Sequence, residues 1–493
     1  MKKRSMAQLA VLLVLALSSC GIITINRPGQ TTDSGGTTGT DITAPTWESK
    51  DYPTMPEEDY SGMAKKKTDS LPAADLSGRS VIFAAASETG DIFNAESETY
   101  SQAALYRDSL VAGRYNAKVI SLFSSASQLL SDAKAADKSG DYYADFAVIR
   151  SGDVPAYCSG GYLRNLKSLL FTELDDECYD SRATAQLTVG GVVIGTAGWA
   201  VRQPENYGCL YLNLTLGEKY GIKPDYGRLV SGGFTWDVLF ESMKLMPEDG
   251  IRFVSRDGVS PLVAGLFFST GQNYLSNSDG YSLACRNDIT ERFVSDMKTL
   301  LSMRTDSIKK NITVADESGV ESEKEVTLTG TDIFLTGEAL VLSGTLGTMK
   351  EIKNCGFMWE ALPLPKTDGT QAKYSTPLSS DAPVITALAS ADNPESAGYV
   401  LRAVNTASYG YIERCFFAEA QSEYITGVHT PDMMELICQD PVYDHAAMFG
   451  ASSKNLRNGT YNAVVSAVTG SKSLKSCLDA AKASLNAYIG SLS

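Results

Sequence analysis

Only two histidines occur in the 493 residues, His429 and His445. Neither sits in an H-E-x-x-H, and the chain has no G-x-S-x-G elbow and no Walker loop. The linear signatures of zinc proteases, α/β-hydrolases and nucleotide-dependent enzymes are therefore missing. Cysteine and histidine spacings do not suggest a metal site either. His445, inside "VYDHAAMF", reads as a structural residue. Paired carboxylates, the machinery of glycoside hydrolysis, leave no linear signature. With 58 Asp and Glu, counting does not exclude such a pair. Eight of the nine cysteines, Cys158, Cys178, Cys209, Cys285, Cys355, Cys415, Cys438 and Cys477, are spaced widely and irregularly, with no C-x-x-C. A chain this long needs no staples, and mostly buried free thiols with at most one or two bridges are expected.

The ninth, Cys20, closes the stretch "LLVLALSSCG". Lys2, Lys3 and Arg4 precede an apolar run from Met6 to Leu17. That run falls short of the about 20 apolar residues a membrane-spanning helix needs. A basic start, a short apolar middle and small residues at its end describe a secretory signal. Leu17-Ser18-Ser19-Cys20 resembles the lipobox of bacterial lipoproteins. The resemblance implies a signal peptide over 1–19, cut before Cys20, and acylation of the Cys20 thiol; two or more acyl chains hold a protein stably on a membrane. From Thr31 to Thr46 the chain reads "TTDSGGTTGTDITAPT", a composition that makes a flexible, solvated linker. Irregular sequence continues to about Leu76, so residues 20–78 read as lipidated cysteine and tether. The net charge of −15 argues against nucleic acid, which needs clustered Lys and Arg.

The body must hold whatever site there is. "SVIFAAA" (80–86), "AKVISL" and "DFAVIR" read as strands, with helix-like segments between them, including "SASQLLSDAKAADKSGD". Strand, helix, strand, helix, strand predicts a mostly parallel sheet with helices packed on it. In "SGGFTWDVLFESMKLM", Thr235 is placed to cap a helix, Asp237 lies in its first turn, Phe234 and Leu239 can form a staple, and Leu239, Met243 and Met246 share a face. Residues from Lys309 to Val326 read as an acidic, broken, exposed excursion. "TDIFLTGEALVLSGTLGTMKEI" reads as helix, strand and helix. Asn393 before Pro394 marks a further helix start. Leu474, Leu478, Ala481, Leu485 and Tyr488 give the last helix its i, i+4, i+7 rhythm.

Several segments, in order, resemble the family 1 extracellular solute-binding proteins, the receptors of bacterial carbohydrate ABC importers. They are "LYLNLTLGEKYGI", "GGFTWDVLFESMK", "FLTGEALVLSGTLGTMKEIKN", "MWEALPLPKTDGTQAKY", "TPDMMELICQDPVYD" and the closing "SAVTGSKSLKSCLDAAKASLNAYI". The resemblance covers roughly residues 80 to 490. It implies an α/β, two-lobed, periplasmic-binding-protein-like fold of type II, each lobe a mixed, mostly parallel sheet with flanking helices, joined by a hinge. Lobe one would run over about 79–196 and return over about 375–440. Lobe two would run over about 197–374 and return over about 441–493. The implied function is to capture a carbohydrate between the lobes and deliver it to ABC permease subunits, without enzymatic turnover or a cofactor. A glycan-binding or glycan-hydrolysing surface lipoprotein, or a receptor for a non-sugar solute, remains the alternative.

A sugar offers hydroxyls and flat C–H faces, so its site combines polar hydrogen-bonding groups with aromatic platforms. Fold position nominates Glu88 after the first strand, Asp153 after "DFAVIR", and Tyr374 and Asp381 at the return to lobe one. Trp199, where the chain leaves lobe one, and Trp359, on an apolar strand, are the aromatic candidates. Trp236 reads as core, and Trp47 falls in the tether.

Overall fold

The computed structural model describes residues 59–94, 96–277, 281–315 and 321–492. Cys20, the signal before it, Trp47 and most of the tether lie outside the described residues. The strands of the two main sheets are β1 (Arg79–Ala86), β2 (Ala117–Ser124), β3 (Phe146–Arg150), β4 (Leu163–Arg164), β5 (Gly208–Asn213), β6 (Ile251–Ser255), β7 (Ala339–Thr345), β8 (Trp359–Leu362) and β9 (Pro383–Leu388). The first sheet has the order β2-β1-β3-β9-β4. Its β1, β2 and β3 run parallel, while β9 returns antiparallel between β3 and β4. The second has the order β8-β5-β7-β6, with β6 and β7 parallel and β5 antiparallel to both β7 and β8.

The apolar runs form strands for the expected reason. Phe83 to Ala86 of β1 and Phe146 to Ile149 of β3 are buried without alternation, as strands covered on both faces must be. Helices begin where short polar side chains can take up the first free N–H groups. Ser125 accepts from the Gln128 N–H to start Ala126–Ser139, and Gly140, at φ 75°, ends it. Asn393 accepts from the Ser396 N–H at 2.8 Å to start Pro394–Ala407, whose Ala397, Val400, Leu401 and Val404 are buried. In Leu474–Gly490 the five residues of the predicted stripe are all buried. Thr235 occupies the cap of Trp236–Met243, but its side chain makes no capping bond. Backbone pairing with Lys366 fixes that helix entry instead. Leu239, Met243 and Met246 are buried as expected.

Two local expectations change, and the expectation for the cysteines holds. Tyr60–Ser70 is a helix, where composition suggests irregular tether, and it packs on Ser101–Tyr115, Pro394–Ala407 and Tyr411–Glu423. Asp59 caps it, and the Arg414 guanidinium lies 4.4 Å from the Tyr60 ring while donating to its hydroxyl at 3.0 Å. The presumed excursion is an antiparallel ribbon of Ser307–Ala315 and Glu321–Thr329, with Lys309 and Glu325 paired across it at 2.7 Å. The eight cysteines after Cys20 are all free thiols, five of them buried.

Between the sheets the backbone runs side by side. Tyr207 bridges Leu378, and Thr376–Pro377 pairs with Pro441–Val442. Leu346, just past β7, donates its N–H to the Tyr207 carbonyl at 2.8 Å. Ser379, just before β9, donates to the Asn206 carbonyl at 3.0 Å. Gly208 allows this contact, because a Cβ there would lie 2.6 Å from Pro377 Cγ. The end of β7 and the start of β9, and with it the end of β3, are thus tied to one set of crossing segments.

Trp359 has no exposed surface and meets Tyr211 edge-on, with ring centroids 5.4 Å apart. Trp359→Ala is expected to lower the unfolding free energy by about 3–5 kcal/mol through cavity formation. Urea denaturation would read this as a lower midpoint with an unchanged slope.

Candidate functional site

At the carboxyl edge of the first sheet, three of the nominated carboxylates converge on one cation that fold position did not nominate. Arg150 ends β3, and its guanidinium donates Nε–H to Asp153 Oδ2 at 2.7 Å and Nη2–H to Asp153 Oδ1 at 3.1 Å. Its Nη1 lies 3.7 Å from Asp381 Oδ1. Glu88, at the end of β1, contributes a further attraction, and together the three keep the guanidinium firmly charged, with the Asp153 hydrogen bonds the main cause. The Glu88 carboxyl is held below the ordinary range, chiefly by backbone N–H groups, its own and that of Ala126 at the start of a helix. A carboxylate at a helix N-terminus is favoured by the helix dipole.

The backbone explains the convergence. The Ser151 N–H donates to the Ala382 carbonyl at 2.8 Å, and the Gly152 N–H donates to the Ser380 carbonyl at 3.0 Å. A Cβ on Gly152 would stand 3.2 Å from Ser380 Cβ and O, so a side chain would push the two loops apart. Asp153 and Asp381 therefore reach the same guanidinium from loops far apart in sequence. Arg150 and Asp153 are about one-third exposed and Asp381 mostly so. Such a cluster offers N–H donors and carboxylate acceptors side by side, which is what a hydroxyl, donor and acceptor at once, can use.

The nominated aromatic residues lie elsewhere. Trp359 is core, as described above. Tyr374 is buried, donates its hydroxyl to the Leu229 carbonyl at 2.8 Å and accepts from the Phe234 N–H at 3.2 Å. Trp199 is half-buried between the Tyr409 ring, 4.7 Å away, and the Arg202 guanidinium at 4.0 Å. Trp236 is core, as expected. Arg150 carried a sequence signal, since it is the charged end of an otherwise apolar strand. Two grooves flank the crossing segments and contain none of the six nominated residues. One, of about 570 Å³, is lined by Arg182, Gln186, Gln272, Asn273 and Asn277 among others. The other, of about 360 Å³, is lined by Thr367, Gln371, Ser375 and Asp440 among others. Arg182 and Asp440, 3.5 Å apart, link them.

No protein-family model and no curated protein matches this chain. Solved structures do match it in fold. A cyclic α-maltosyl-1,6-maltose binding protein from Arthrobacter globiformis superposes with a TM-score of 0.52 at 13% identity, over 84% of this chain and 99% of its own. A cyclo/maltodextrin-binding protein complexed with maltotetraose gives 0.51 at 14% identity, over 85% and 98%. A family 1 extracellular solute-binding protein from Bifidobacterium longum subsp. infantis gives 0.50 at 12% identity, over 83% and 100%. The chain has the two-lobed, hinged α/β fold of solute-binding proteins.

Beside the crossing segments, His445 is fully buried. Its backbone N–H donates to Gln186 Oε1 at 2.8 Å, and its Nδ1 lies 3.1 Å from the Gln186 carbonyl. A carbonyl only accepts, so Nδ1 carries the proton and Nε2 accepts from the Tyr488 hydroxyl. Burial pushes the imidazole pKa down to about 4. Below the ordinary value of about 6.5 the unfolded chain then binds the extra proton first. The stabilisation from a neutral His445 is complete above about pH 6.5 and is lost as pH falls towards 4. Urea titrations over this range should show a shallower acid decline for His445→Gln than for wild type, the gap between the two changing by up to about 3 kcal/mol across it.

Proposed function

We propose that the protein is a lipid-anchored receptor on the outer face of a bacterial cytoplasmic membrane. It binds a carbohydrate between its lobes and hands it to the permease subunits of an ABC importer. The observation that carries this reading is the Arg150 cluster. Two carboxylates contact one guanidinium, and a third attracts it, at the carboxyl edge of a mostly parallel sheet beside the crossing segments. Ligands of α/β folds bind outside the carboxyl ends of strands and between domains. Two of the structures similar in fold are named for maltodextrin-type ligands, which supports an α-linked glucose oligomer as the solute class. Lobe one comprises about 79–196 with 375–440 and lobe two about 197–374 with 441–493, except that Thr430–Ile437 packs on β8 and goes with lobe two. Anchoring is assigned to the acylated Cys20 at the end of the signal over 1–19. No helix among the described residues is long and apolar enough to cross a membrane. The protein acts without catalysis, by closing on its ligand and presenting a changed surface to its partner.

Calorimetry against mono- and oligosaccharides, including maltotetraose and a cyclic maltodextrin, tests the reading. One-to-one binding without turnover is expected. Arg150→Ala, Asp153→Ala and Asp381→Ala should each weaken it by about tenfold or more, or at least about 1.4 kcal/mol. Arg182→Ala should leave it unchanged; if instead only that variant loses affinity, the solute sits in the 570 Å³ groove. Release of shortened glycans by the purified protein would replace the receptor with a hydrolase.

A further inference from the structure

A second charged cluster joins the lobes and has no place in the ligand site. Lys350 lies on the short helix Met349–Ile352, which follows β7 on the second sheet. Its ammonium is 3.5 Å from Glu419 Oε1 and 4.0 Å from Glu205 Oε1. Glu205 belongs to the crossing segment just before Tyr207, and Glu419 to Tyr411–Glu423. Both carboxylates are held in turn from the first lobe or its neighbours. The Tyr100 hydroxyl donates to Glu205 Oε2 at 2.6 Å, and the Thr99 hydroxyl donates to Glu419 Oε2 at 2.7 Å. The Tyr424 hydroxyl also donates to Glu419. Thr99 and Tyr100 stand at the start of Ser101–Tyr115, against the first sheet. A cation on one lobe thus meets two carboxylates fixed to the hinge and to the other lobe.

Other titratable groups face this cluster from every side. Cys415 and Glu423 lie on the Glu419 helix, and each bears on Tyr100 or Tyr424. Lys353, one turn from Lys350, lies 5.1 Å from the Tyr424 ring. Glu351 points away, to Arg256 at 2.7 Å. The Lys350 ammonium pulls the Glu205 pKa down against its burial. Glu419 lies near enough to Glu205 to raise its pKa, and withdrawal of Lys350 would remove the positive charge that opposes this. Two like charges so placed favour taking up a proton.

We propose that Lys350, Glu205 and Glu419 form a latch across the hinge, which holds the lobes in the arrangement seen here and opens with the uptake of one proton. The latch rests on the hinged fold and not on the identity of the solute. Burial already raises the Glu205 pKa to about 7, against the pull of Lys350. Loss of Lys350 raises it further, so the released form binds more protons at and above pH 7. Falling pH therefore favours release down to about 7, by at most about tenfold per pH unit for one proton, and has no further effect below.

Small-angle scattering and hydrogen exchange of the solute-free protein, from pH 6 to 9, test this. Exchange is read in peptides containing Asn206 and Ser379 and corrected for intrinsic rates. Wild type should change radius of gyration and lose hinge protection as pH falls to 7, then level off. Lys350→Met keeps the aliphatic stem of a residue already 42% exposed; it should show the released radius and fast hinge exchange at all pH values. Glu205→Gln should abolish the pH response. A wild-type profile that is flat, or Lys350→Met behaving as wild type, would overturn the latch. Because no solute is present, failure here and failure of sugar binding are separate results.

Discussion

The three stretches of backbone between the sheets constrain everything else, because each binds to a neighbour and to the edge of a sheet at once. Tyr207 is bonded to Leu346 at the end of β7 and is bridged to Leu378. One residue on, Ser379 is bonded to Asn206, and from Pro383 onward β9 is paired with β3. A strand-like ladder of this kind resists shear yet bends easily about its own line. It is also short, so small dihedral changes in few residues can swing a whole lobe. The tight approach at Gly208 fixes where the line lies. Charged groups placed beside it then act with leverage that the same groups would lack on an outer face.

That placement sets the character of the Arg150 cluster. One guanidinium among three carboxylates leaves the rim with excess negative charge and unsatisfied acceptor capacity. Exposed ion pairs contribute little to stability, typically below about 1 kcal/mol. The Asp153, Asp381 and Glu88 interactions are therefore poorly explained as supports for the fold. They make better sense as an arrangement of donors and acceptors held ready at fixed spacing, so that less ordering is required when a ligand arrives. The Gly152–Ser380 contact supplies the rigidity, since it binds the two contributing loops through backbone rather than through long side chains.

How much of this is legible in the sequence differs from element to element. β1 and β3 are plain as apolar runs, and Asn393-Pro394 announces its helix, because both signals are local. Tyr60–Ser70 is not legible: its segment is polar, only Ala64 and Thr68 are buried, and partners distant in sequence hold it. The ribbon of Ser307–Ala315 is obscured by charge, yet Lys309 and Glu325 lie opposite each other in register, so the same charges support the pairing. In the Arg150 cluster, Glu88, Asp153 and Asp381 follow from fold position beside strand ends. Trp359 and Tyr374 do not, because an aromatic ring serves a core as readily as a sugar face, and side-chain type alone does not separate the two.

Trp199 shows where that ambiguity leads. Its ring is half-buried between Tyr409 and Arg202. Tyr409 in turn receives the Lys67 ammonium at 4.4 Å and lies 6.4 Å from the Tyr60 ring, both on the helix Tyr60–Ser70. Gly410 lies against Tyr60 so closely that a Cβ would stand 2.0 Å from its ring. These contacts couple Trp199 to the N-terminal helix. The helix packs on Ser101–Tyr115, Pro394–Ala407 and Tyr411–Glu423, so partners distant in sequence hold it in place. A ring packs between a second ring and a guanidinium as readily as it faces a sugar, so side-chain type alone does not tell the two settings apart.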